Sequence, residues 1–353
     1  MTNIHKIKPV KTGIAGCGGI TPTVLRRIRR FNEFDFIAAM DINPDSASRI
    51  ADEFDIPKRH TDYESFLNDD IELVILNTPN DCHRPQAIDA LKSGKHCFVQ
   101  KPLARNVAEA QEIVDAANET KKLLGVVMME RSDPVYRQIR SMVQAGCFGQ
   151  ITVFRSALAH VNHLKNPPED GSWRSCPDRI GGGSFIQLAI HHLDLAQFIL
   201  DQRIETVAAI SSSPVNPKMF PIDETTGASV KFSDGTIGQF LSSFAAIADS
   251  IEIYGTDGMM RRDEDSIKWV TSELFSGELW DAGRPGETHV LYMPDLVNKI
   301  PDLLDQYEPH RMFAHAIRGH GSVETPGDLG VQELKIVEAV ARSVAENRIV
   351  IIE

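Results

Sequence analysis

A glycine-rich turn near the start of the chain constrains its fold more than any other feature. A short apolar stretch is followed at once by Gly16-Cys17-Gly18-Gly19-Ile20 and then by Thr21 and Pro22. Gly16 would allow a tight strand-to-helix turn, and Gly18 would let backbone amides approach a pyrophosphate at the positive end of the next helix dipole. We expect Thr21 to cap that helix and Pro22 to be its first residue. The spacing therefore predicts a dinucleotide-binding turn.

An acidic residue at the end of the second predicted strand favours NAD over NADP. Asp41 follows the strand Phe36 to Met40, about 20 residues beyond the turn, where this fold places an acid on the adenosine ribose. Its carboxylate would accept hydrogen bonds from the ribose hydroxyls and repel a ribose phosphate, and no Arg or Lys within 42–45 would neutralise one. The alternative is that Asp41 only begins the turn before the next helix.

Length and charge narrow the class of partner. A chain of 353 residues favours about two domains. Its 49 acidic against 37 basic residues give a net charge of -12, which argues against nucleic acid and anionic membranes and favours a small metabolite. Five cysteines without a C-x-x-C pair predict neither a disulfide framework nor a zinc ribbon, and we expect no metal site. With no segment typical of a signal peptide or membrane span, we expect a cytoplasmic protein.

The first 128 residues carry the pattern of a doubly wound α/β fold. Short apolar runs alternate with amphipathic segments, which predicts a parallel sheet and an NAD-binding domain over 1–128. Ligands bind such sheets at the carboxyl ends of the strands. The strands that we expect are 13–15, 36–40, 59–61, 73–77, 96–99 and 123–128.

From residue 129 to 353 the pattern changes to strands joined by tight turns. Asp234-Gly235 and Asp257-Gly258 each separate two apolar runs, which predicts two hairpins in a second, α+β domain with a mainly antiparallel sheet. We also expect a helix over 133–145. An open sheet leaves one face to cover, and pairing with another copy would cover it.

Three polar side chains interrupt an otherwise apolar helix that we predict over 184–198, behind Gly181-Gly182-Gly183. Gln187, His191 and Asp194 have the spacing of one helix face. Buried polar groups cost free energy unless they are hydrogen-bonded or used at a site. The pattern indicates either a substrate site, with His191 as its strongest member, or an internal network. His192 lies on another face, and we expect it to be structural.

Two further positions could contact ligands. Lys101 follows a predicted strand and precedes Pro102, which would place its amine near the nicotinamide end of a cofactor, although a single lysine is more often solvated. Trp173 and Arg174 would offer a sugar a flat apolar surface and a cation, or form an ordinary surface salt bridge. Other residues that could line the same cleft are His160, Asn162, His163 and Lys165.

Taken together, these motifs resemble the glucose-fructose oxidoreductase and inositol dehydrogenase (Gfo/Idh/MocA) family over nearly the whole chain. The resemblance implies a Rossmann domain, an open-sheet domain that often forms homodimers or homotetramers, and NAD(P)-dependent oxidation of a sugar or polyol. The stretches that carry it are 16–20, 77–80 through His83 to Leu91, 98–104, Trp173-Arg174, and 181–183 with His191 and Asp194.

The motifs and the resemblance give one set of predicted site residues. The predicted cofactor contacts are Gly16, Gly18, Gly19, Ile20, Asp41, Asn77, Thr78, Pro79, Asn80, His83, Gln100 and Lys101. The predicted substrate contacts are Lys101, Trp173, Arg174, Gln187 and His191, of which Lys101, His191 and Gln187 would be catalytic.

Two departures from the family pattern affect the predicted mechanism. Gln100 replaces the usual Glu before Lys-Pro, and Gln187 stands where many members carry Asp. Because Gln cannot relay a proton, we expect Lys101 and His191 to act as the catalytic pair while Gln187 orients the substrate hydroxyl. A hydride would pass to the cofactor, and the hydroxyl proton to His191 or Lys101.

Two other functions stay open on the sequence alone. Some family members use transient oxidation to cleave a glycosidic bond, returning the hydride before release. A non-catalytic NAD-binding sensor is the other, because a transcriptional regulator is known in the superfamily and Gln100 and Gln187 weaken the acid-base set. The retained Lys101 and His191 favour an oxidoreductase.

Overall fold

The computed structural model describes residues 7–165, 172–218, 223–296 and 300–353, which fall into two compact units. The N-terminal unit contains 7–128, 178–181 and 308–334, and the C-terminal unit contains the other described residues. The division differs from the predicted one in that two late segments join the first unit. Phe313 stacks on Phe98 with ring centroids 4.7 Å apart, and Arg318 pairs with Glu72 at 2.7 Å. Contacts so distant in sequence leave no local pattern.

The described part of the N-terminal unit has a six-stranded parallel sheet with helices between the strands, which confirms the predicted Rossmann architecture. The strand order is β3-β2-β1-β4-β5-β6, so the order reverses between β1 and β4, where ligands bind such sheets. The elements are β1 (Val10–Ala15), α1 (Ile20–Ile28), β2 (Phe34–Met40), α2 (Pro44–Glu53), β3 (Lys58–His60), α3 (Tyr63–Leu67), β4 (Leu73–Leu76), α4 (Asn80–Lys92), β5 (His96–Val99), α5 (Val107–Thr120) and β6 (Leu124–Val126).

Helix α1 begins two residues earlier than predicted. Its N-cap is Gly19 rather than Thr21, and Pro22 is its third residue. The Thr21 hydroxyl is buried, donates to the carbonyl of Gly16 at 2.5 Å and accepts from the Asn77 amide at 3.1 Å. Thr21 therefore fastens the turn to the end of β4 instead of capping the helix.

The later elements include the predicted helix and both predicted hairpins. Helix α6 starts behind an Asp133 cap, and β9–β10 and β11–β12 pair antiparallel across the two Asp-Gly turns. The elements are α6 (Pro134–Gln144), β7 (Ile151–Ala159), α7 (Asn162–Lys165), α8 (Pro177–Ile180), α9 (Ile190–Leu200), β8 (Ile204–Ser212), β9 (Thr225–Phe232), β10 (Ile237–Ser243), β11 (Ala248–Gly255), β12 (Met259–Asp263), β13 (Ser266–Val270), β14 (His289–Tyr292), α10 (Ile300–Gln306), α11 (Pro309–Ile317), α12 (Gly327–Glu346) and β15 (Val350–Ile351).

The sheet of the C-terminal unit has one covered and one open face. Its order among the described strands is β14-β13-β12-β11-β7-β10-β9-β8-β15, and every pair except β7–β10 is antiparallel. Residues of α6, α9 and α12 pack with the sheet in one core. The other face exposes apolar side chains such as Ile210 and Leu241, and a groove of about 290 Å³ runs across it. Within the described ranges, we find no helix with the length and apolar character needed to cross a membrane.

Candidate active site

The glycine turn leaves open space above two of its residues. Gly16 has φ +88°, and a Cβ there would lie 2.6 Å from the carbonyl carbon of Asn77, so the fold itself requires glycine. A Cβ on Gly18 or Gly19 would meet no described atom within 4 Å. That space lies at the N-terminus of α1, where unpaired amides favour an anion. The turn therefore fits a pyrophosphate.

Asp41 connects the glycine turn to the start of α2. Its Oδ2 accepts from the Cys17 amide at 2.7 Å, and its Oδ1 accepts from the Asn43 amide at 2.9 Å. The carboxylate thus begins the turn before α2, as the simpler interpretation held, and also fixes the glycine turn. A carboxylate has about four acceptor positions, so these two bonds leave acceptor capacity for ribose hydroxyls.

A cation that the sequence prediction missed also contacts the turn. Arg49 of α2 donates from Nη2 to the carbonyl of Cys17 at 2.8 Å. Arg49 lies beyond residues 42–45 and reaches back to the glycine turn from the second turn of α2. A signal was present in the sequence, because a helix that follows β2 returns along the sheet beside the glycine turn.

Cys17 itself is structural. Its side chain is fully buried, and burial together with the nearby Asp41 carboxylate raises the pKa of the thiol to about 12. The thiol is therefore protonated and unreactive near neutral pH.

The residues that follow β4 divide into surface and buried positions. Thr78 and Pro79 are half-buried, and the Thr78 hydroxyl donates to Gln86 at 2.7 Å. Asn77 is buried beside Thr21. Asn80 is also buried, and its amide donates to the carbonyl of Ile180 at 2.7 Å. The first two positions can contact a ligand directly, whereas Asn77 and Asn80 shape the wall behind them.

His83 joins the loops that follow β4 and β5. The ring is fully buried, with Nδ1 2.9 Å from the carbonyl oxygen of Pro102 and Nε2 2.9 Å from that of Thr78. Burial lowers its pKa, so the neutral ring donates to one carbonyl at a time. This geometry gives His83 a supporting position below the loops.

Lys101 lies directly after β5, at the same edge of the sheet as the glycine turn. It is half-buried, and its peptide bond to Pro102 is cis. The Lys101 amide donates to the side-chain oxygen of Gln100 at 3.0 Å, while the Gln100 amide donates to the carbonyl of Leu76. Gln100 thus holds the backbone of Lys101 to the sheet without adding a charge beside its amine.

The predicted helix over 184–198 is two helices in succession. Phe185–Ala189 is a π-helix, in which the amide of Ile190 donates to the carbonyl of Phe185, and α9 follows. The π-helix contains Gln187, and α9 contains His191. Both side chains are half-buried, whereas the neighbouring positions of this segment are mostly buried. A π-helical turn is rare and occurs often at functional sites.

A half-buried carboxylate fastens the start of the π-helix. Asp223 accepts from the Ser184 hydroxyl at 3.1 Å, from the Phe185 amide at 3.3 Å and from the Thr226 hydroxyl. A Cβ on Gly183 would lie 2.0 Å from the carbonyl oxygen of Asp223, so only glycine fits there. The sequence prediction missed Asp223, which lies 38 residues from Phe185.

Asp194 belongs to an internal ion pair. Its carboxylate is 1% exposed and accepts from Arg131 Nε at 2.8 and 2.9 Å and from Nη2 at 2.5 Å. Neighbouring His192 is buried with Nε2 3.9 Å from Asp249, and burial lowers its pKa to about 4. These surroundings are typical of structural residues. They favour the internal-network alternative for Asp194 and the structural role expected for His192.

The predicted sugar-binding loop is only partly described. The Arg174 guanidinium lies 4.5 Å above the indole of Trp173, and burial lowers the pKa of Arg174. The centroid of the His160 ring lies 5.6 Å from that of Phe244, Asn162 and Lys165 belong to α7, and the side chain of His163 is outside the described residues. Within the described part of the chain, no three His, Cys, Asp or Glu residues form a group that could hold a metal ion.

Both parts of the chain match models of known protein families. Residues 10–128 match the oxidoreductase family with an NAD-binding Rossmann fold, and residues 136–261 match the GFO/IDH/MocA C-terminal domain. A 1,5-anhydro-D-fructose reductase from Ensifer adhaerens is 28% identical over 90% of this chain and 91% of its own. A myo-inositol 2-dehydrogenase from Thermotoga maritima is 22% identical over 98% and 99%.

Solved structures share the fold over almost the whole chain. A levoglucosan dehydrogenase in complex with NADH and levoglucosan superimposes with a TM-score of 0.84 at 22% identity, covering 98% of this chain and 99% of that one. The two family models match residues in both units. The chain therefore belongs to the Gfo/Idh/MocA family of oxidoreductases.

Proposed function

We propose that this protein is an NAD-dependent dehydrogenase that oxidises a secondary alcohol of a sugar, a polyol or a sugar derivative. One observation carries the proposal: a glycine turn that is open above Gly18 and Gly19, with Asp41 fixed beside it, lies at the switch point of a parallel sheet. Relatives whose names are those of inositol, levoglucosan and anhydrofructose enzymes support the substrate class.

The proposed chemistry follows from the residue types of three half-buried side chains, which are Lys101, Gln187 and His191. A bound nicotinamide would accept the carbinol hydride. Neutral His191 would take the hydroxyl proton, and the Lys101 ammonium would polarise the same oxygen. Gln187 can donate and accept hydrogen bonds but cannot change its charge, so it would orient the hydroxyl. Asp194 would take no part, because Arg131 already binds its carboxylate.

Coenzyme preference depends on the Asp41 carboxylate. A group that already accepts from the Cys17 amide is fixed in place, and its free acceptor positions suit ribose hydroxyls better than a ribose phosphate. We therefore propose NAD as the preferred coenzyme. Thr78, Pro79 and Ile20 would contact it, and His83 and Asn80 would support the loops behind them.

The open face of the C-terminal sheet is the proposed contact between copies of the chain. It exposes Ile210 by 78% and Leu241 by 42%, and its groove also contains Arg155 and Glu252. An apolar surface with both charge signs can pair with itself around a two-fold axis. We propose a homodimer or homotetramer, and sedimentation of the purified protein would test it.

The test of function is turnover. The wild-type protein, incubated with NAD and a panel of sugars and polyols, should accumulate NADH with at least one of them. Lys101→Met or His191→Ala should then lower kcat by about 10² or more while NAD affinity stays near wild type. Lys92→Met and His320→Ala, at exposed positions, are the matched controls and should keep full turnover.

The same assay separates the other two functions. Release of an aglycone without net NADH would identify a glycoside-cleaving enzyme. Saturable NAD binding without hydride exchange across a broad panel would favour a sensor. Full turnover in both the Lys101 and the His191 variants would remove the proposed roles of these residues.

A further inference from the structure

Arg49 and Asp41 hold opposite ends of the same residue in the glycine turn. The amide of Cys17 donates to Asp41 at 2.7 Å, and the carbonyl of Cys17 accepts from Arg49 at 2.8 Å. A carboxylate and a guanidinium therefore both lie beside the segment where the adenosine ribose of a dinucleotide binds in this fold. Asp41 alone would repel a ribose phosphate, whereas Arg49 beside it would attract the same phosphate.

The guanidinium of Arg49 has donors left for a ligand. Its side chain is 50% exposed. Nη2 is used on Cys17, while Nη1 lies 4.0 Å from Glu53, beyond hydrogen-bond length. A guanidinium carries five N–H donors in a planar fork that suits phosphate oxygens.

Glu53, whose carboxylate lies 4.0 Å from Arg49, also pairs with Arg26. Glu53 Oε1 accepts from Arg26 Nη2 at 2.7 Å. Arg26, Arg49 and Glu53 together carry one net positive charge, which offsets the single negative charge of Asp41. The charges of these four groups sum to zero, and Asp45 adds one further negative charge to the stretch from 41 to 45.

We propose that Arg49 is a second determinant of coenzyme choice, which lets the site bind NADP in addition to the preferred NAD. The inference rests on the dinucleotide site proposed above. Asp41 would bind the ribose hydroxyls of NAD. With NADP, Arg49 would bind the ribose phosphate through its remaining N–H donors and offset the repulsion from Asp41.

The test is a set of dissociation constants for NAD⁺ and NADP⁺, measured by titration calorimetry without any substrate. The wild type should bind NADP⁺ within about a hundredfold of NAD⁺. Arg49→Ala should weaken NADP⁺ by about tenfold or more and NAD⁺ by less than about threefold, because only NADP⁺ presents a phosphate to the lost charge. Arg49→Lys, which keeps the charge, should recover part of the NADP⁺ affinity.

Arg26→Ala is the matched control. The substitution removes the same charge from the same cluster, and Arg26 pairs with the same Glu53, whereas the Cys17 carbonyl accepts from Arg49. It should change the ratio of the two dissociation constants by less than about twofold at moderate salt. A change as large as that of Arg49→Ala would show a general field effect and overturn the assignment.

Three further results would overturn the inference. Equal weakening of both coenzymes by Arg49→Ala would mean that Arg49 only clamps the turn. NAD⁺ binding without measurable NADP⁺ binding in the wild type would mean that Asp41 decides the choice alone. Binding of neither coenzyme would refute the dinucleotide site itself. Because the measurement needs no substrate, failure to find a sugar that reacts would leave this inference intact.

Discussion

The glycine turn and the helix pair that contains Gln187 and His191 reach a similar result by different means. Each presents exposed or half-buried groups on a buried framework. In the turn, neighbouring strands supply the framework: Gly16 donates to the carbonyl of Met40 and packs against Asn77. In the helix pair, Asp223 holds the first residue from 38 positions away, and Arg131 holds Asp194 from 63 positions away. A short motif specifies the first framework, whereas distant side chains specify the second.

The largest expected effect is at Gly16. A methyl group there would lie 2.6 Å from backbone carbon, and φ +88° is unfavourable for alanine. We expect Gly16→Ala to cost about 4 kcal/mol in combined backbone strain and displacement of the turn, seen as loss of NAD⁺ binding and a lower Tm.

Gly18→Ala distinguishes an effect on stability from an effect on coenzyme binding at the same turn. A methyl group on Gly18 meets no described atom within 4 Å, so Tm should change little while it occupies the space where the coenzyme binds. Calorimetry with NAD⁺ should therefore show weakened binding in a fully stable protein. Unchanged NAD⁺ affinity in Gly18→Ala would show that the open space is not the coenzyme site.

The next effect is at the ion pair behind His191. Asp194→Asn removes the carboxylate that neutralises the largely buried guanidinium of Arg131. We expect this to lower the free energy of unfolding by about 3 kcal/mol. Asp201→Asn is the control, because Asp201 is 74% exposed, pairs with Arg140 and has a positive φ that Asn tolerates. Urea unfolding should show a change below about 0.5 kcal/mol for the control. Equal effects of the two substitutions would remove the structural role of Asp194.

The sequence predicts the two regions unequally for the same physical reason. The parallel sheet, the Asp-Gly hairpins, the glycine turn and the strand end at Lys101 follow from local periodicity and turn residues, and the structure has all of them. The π-helix at 185–189 and the anchor Asp223 do not, because a widened turn depends on hydrogen bonds to a distant strand end. Thr21 shows the same limit, since its hydroxyl bonds to Gly16 and to the distant Asn77 instead of capping α1, of which it is the second residue.

A smaller effect on turnover is expected at Asp223. Asp223→Asn replaces an acceptor of three hydrogen bonds by an amide that can accept fewer, so the π-helix should shift and Gln187 with it. We expect kcat to fall by about tenfold, or 1.4 kcal/mol, with NAD⁺ affinity unchanged. Asp234→Asn, an exposed turn position of the β9–β10 hairpin, should leave kcat at the wild-type value. If Asp223→Asn had the kcat of the wild type but a lower Tm, Asp223 would be only a structural cap of the π-helix.

The smallest effect is a pH dependence of stability at Glu130, which precedes Arg131. Burial raises the pKa of this carboxyl to about 7, with further contributions from Asp133 and Asp249, while the unfolded chain titrates near 4.5. Between these values the folded protein keeps a proton that the unfolded chain has released. The stabilisation from protonated Glu130 is therefore complete below about pH 4.5 and is lost as the pH rises through about 7.

Glu130→Gln keeps the neutral form at every pH and should remove this loss. Relative to wild type, the variant should gain about 1 kcal/mol in the free energy of unfolding between about pH 6.3 and about pH 8.5, as followed by urea unfolding at each pH. His192 acts in the opposite sense, because its lowered pKa of about 4 makes its contribution full above its ordinary value of 6.5 and lost as the pH falls through about 4. Since His192 is present in both proteins, its effect cancels in the difference. For Glu264→Gln, at an exposed position, the difference from wild type in the free energy of unfolding should not change with pH. If the difference for Glu130→Gln were also independent of pH, Glu130 would be reached by water and its pKa would not be raised by burial.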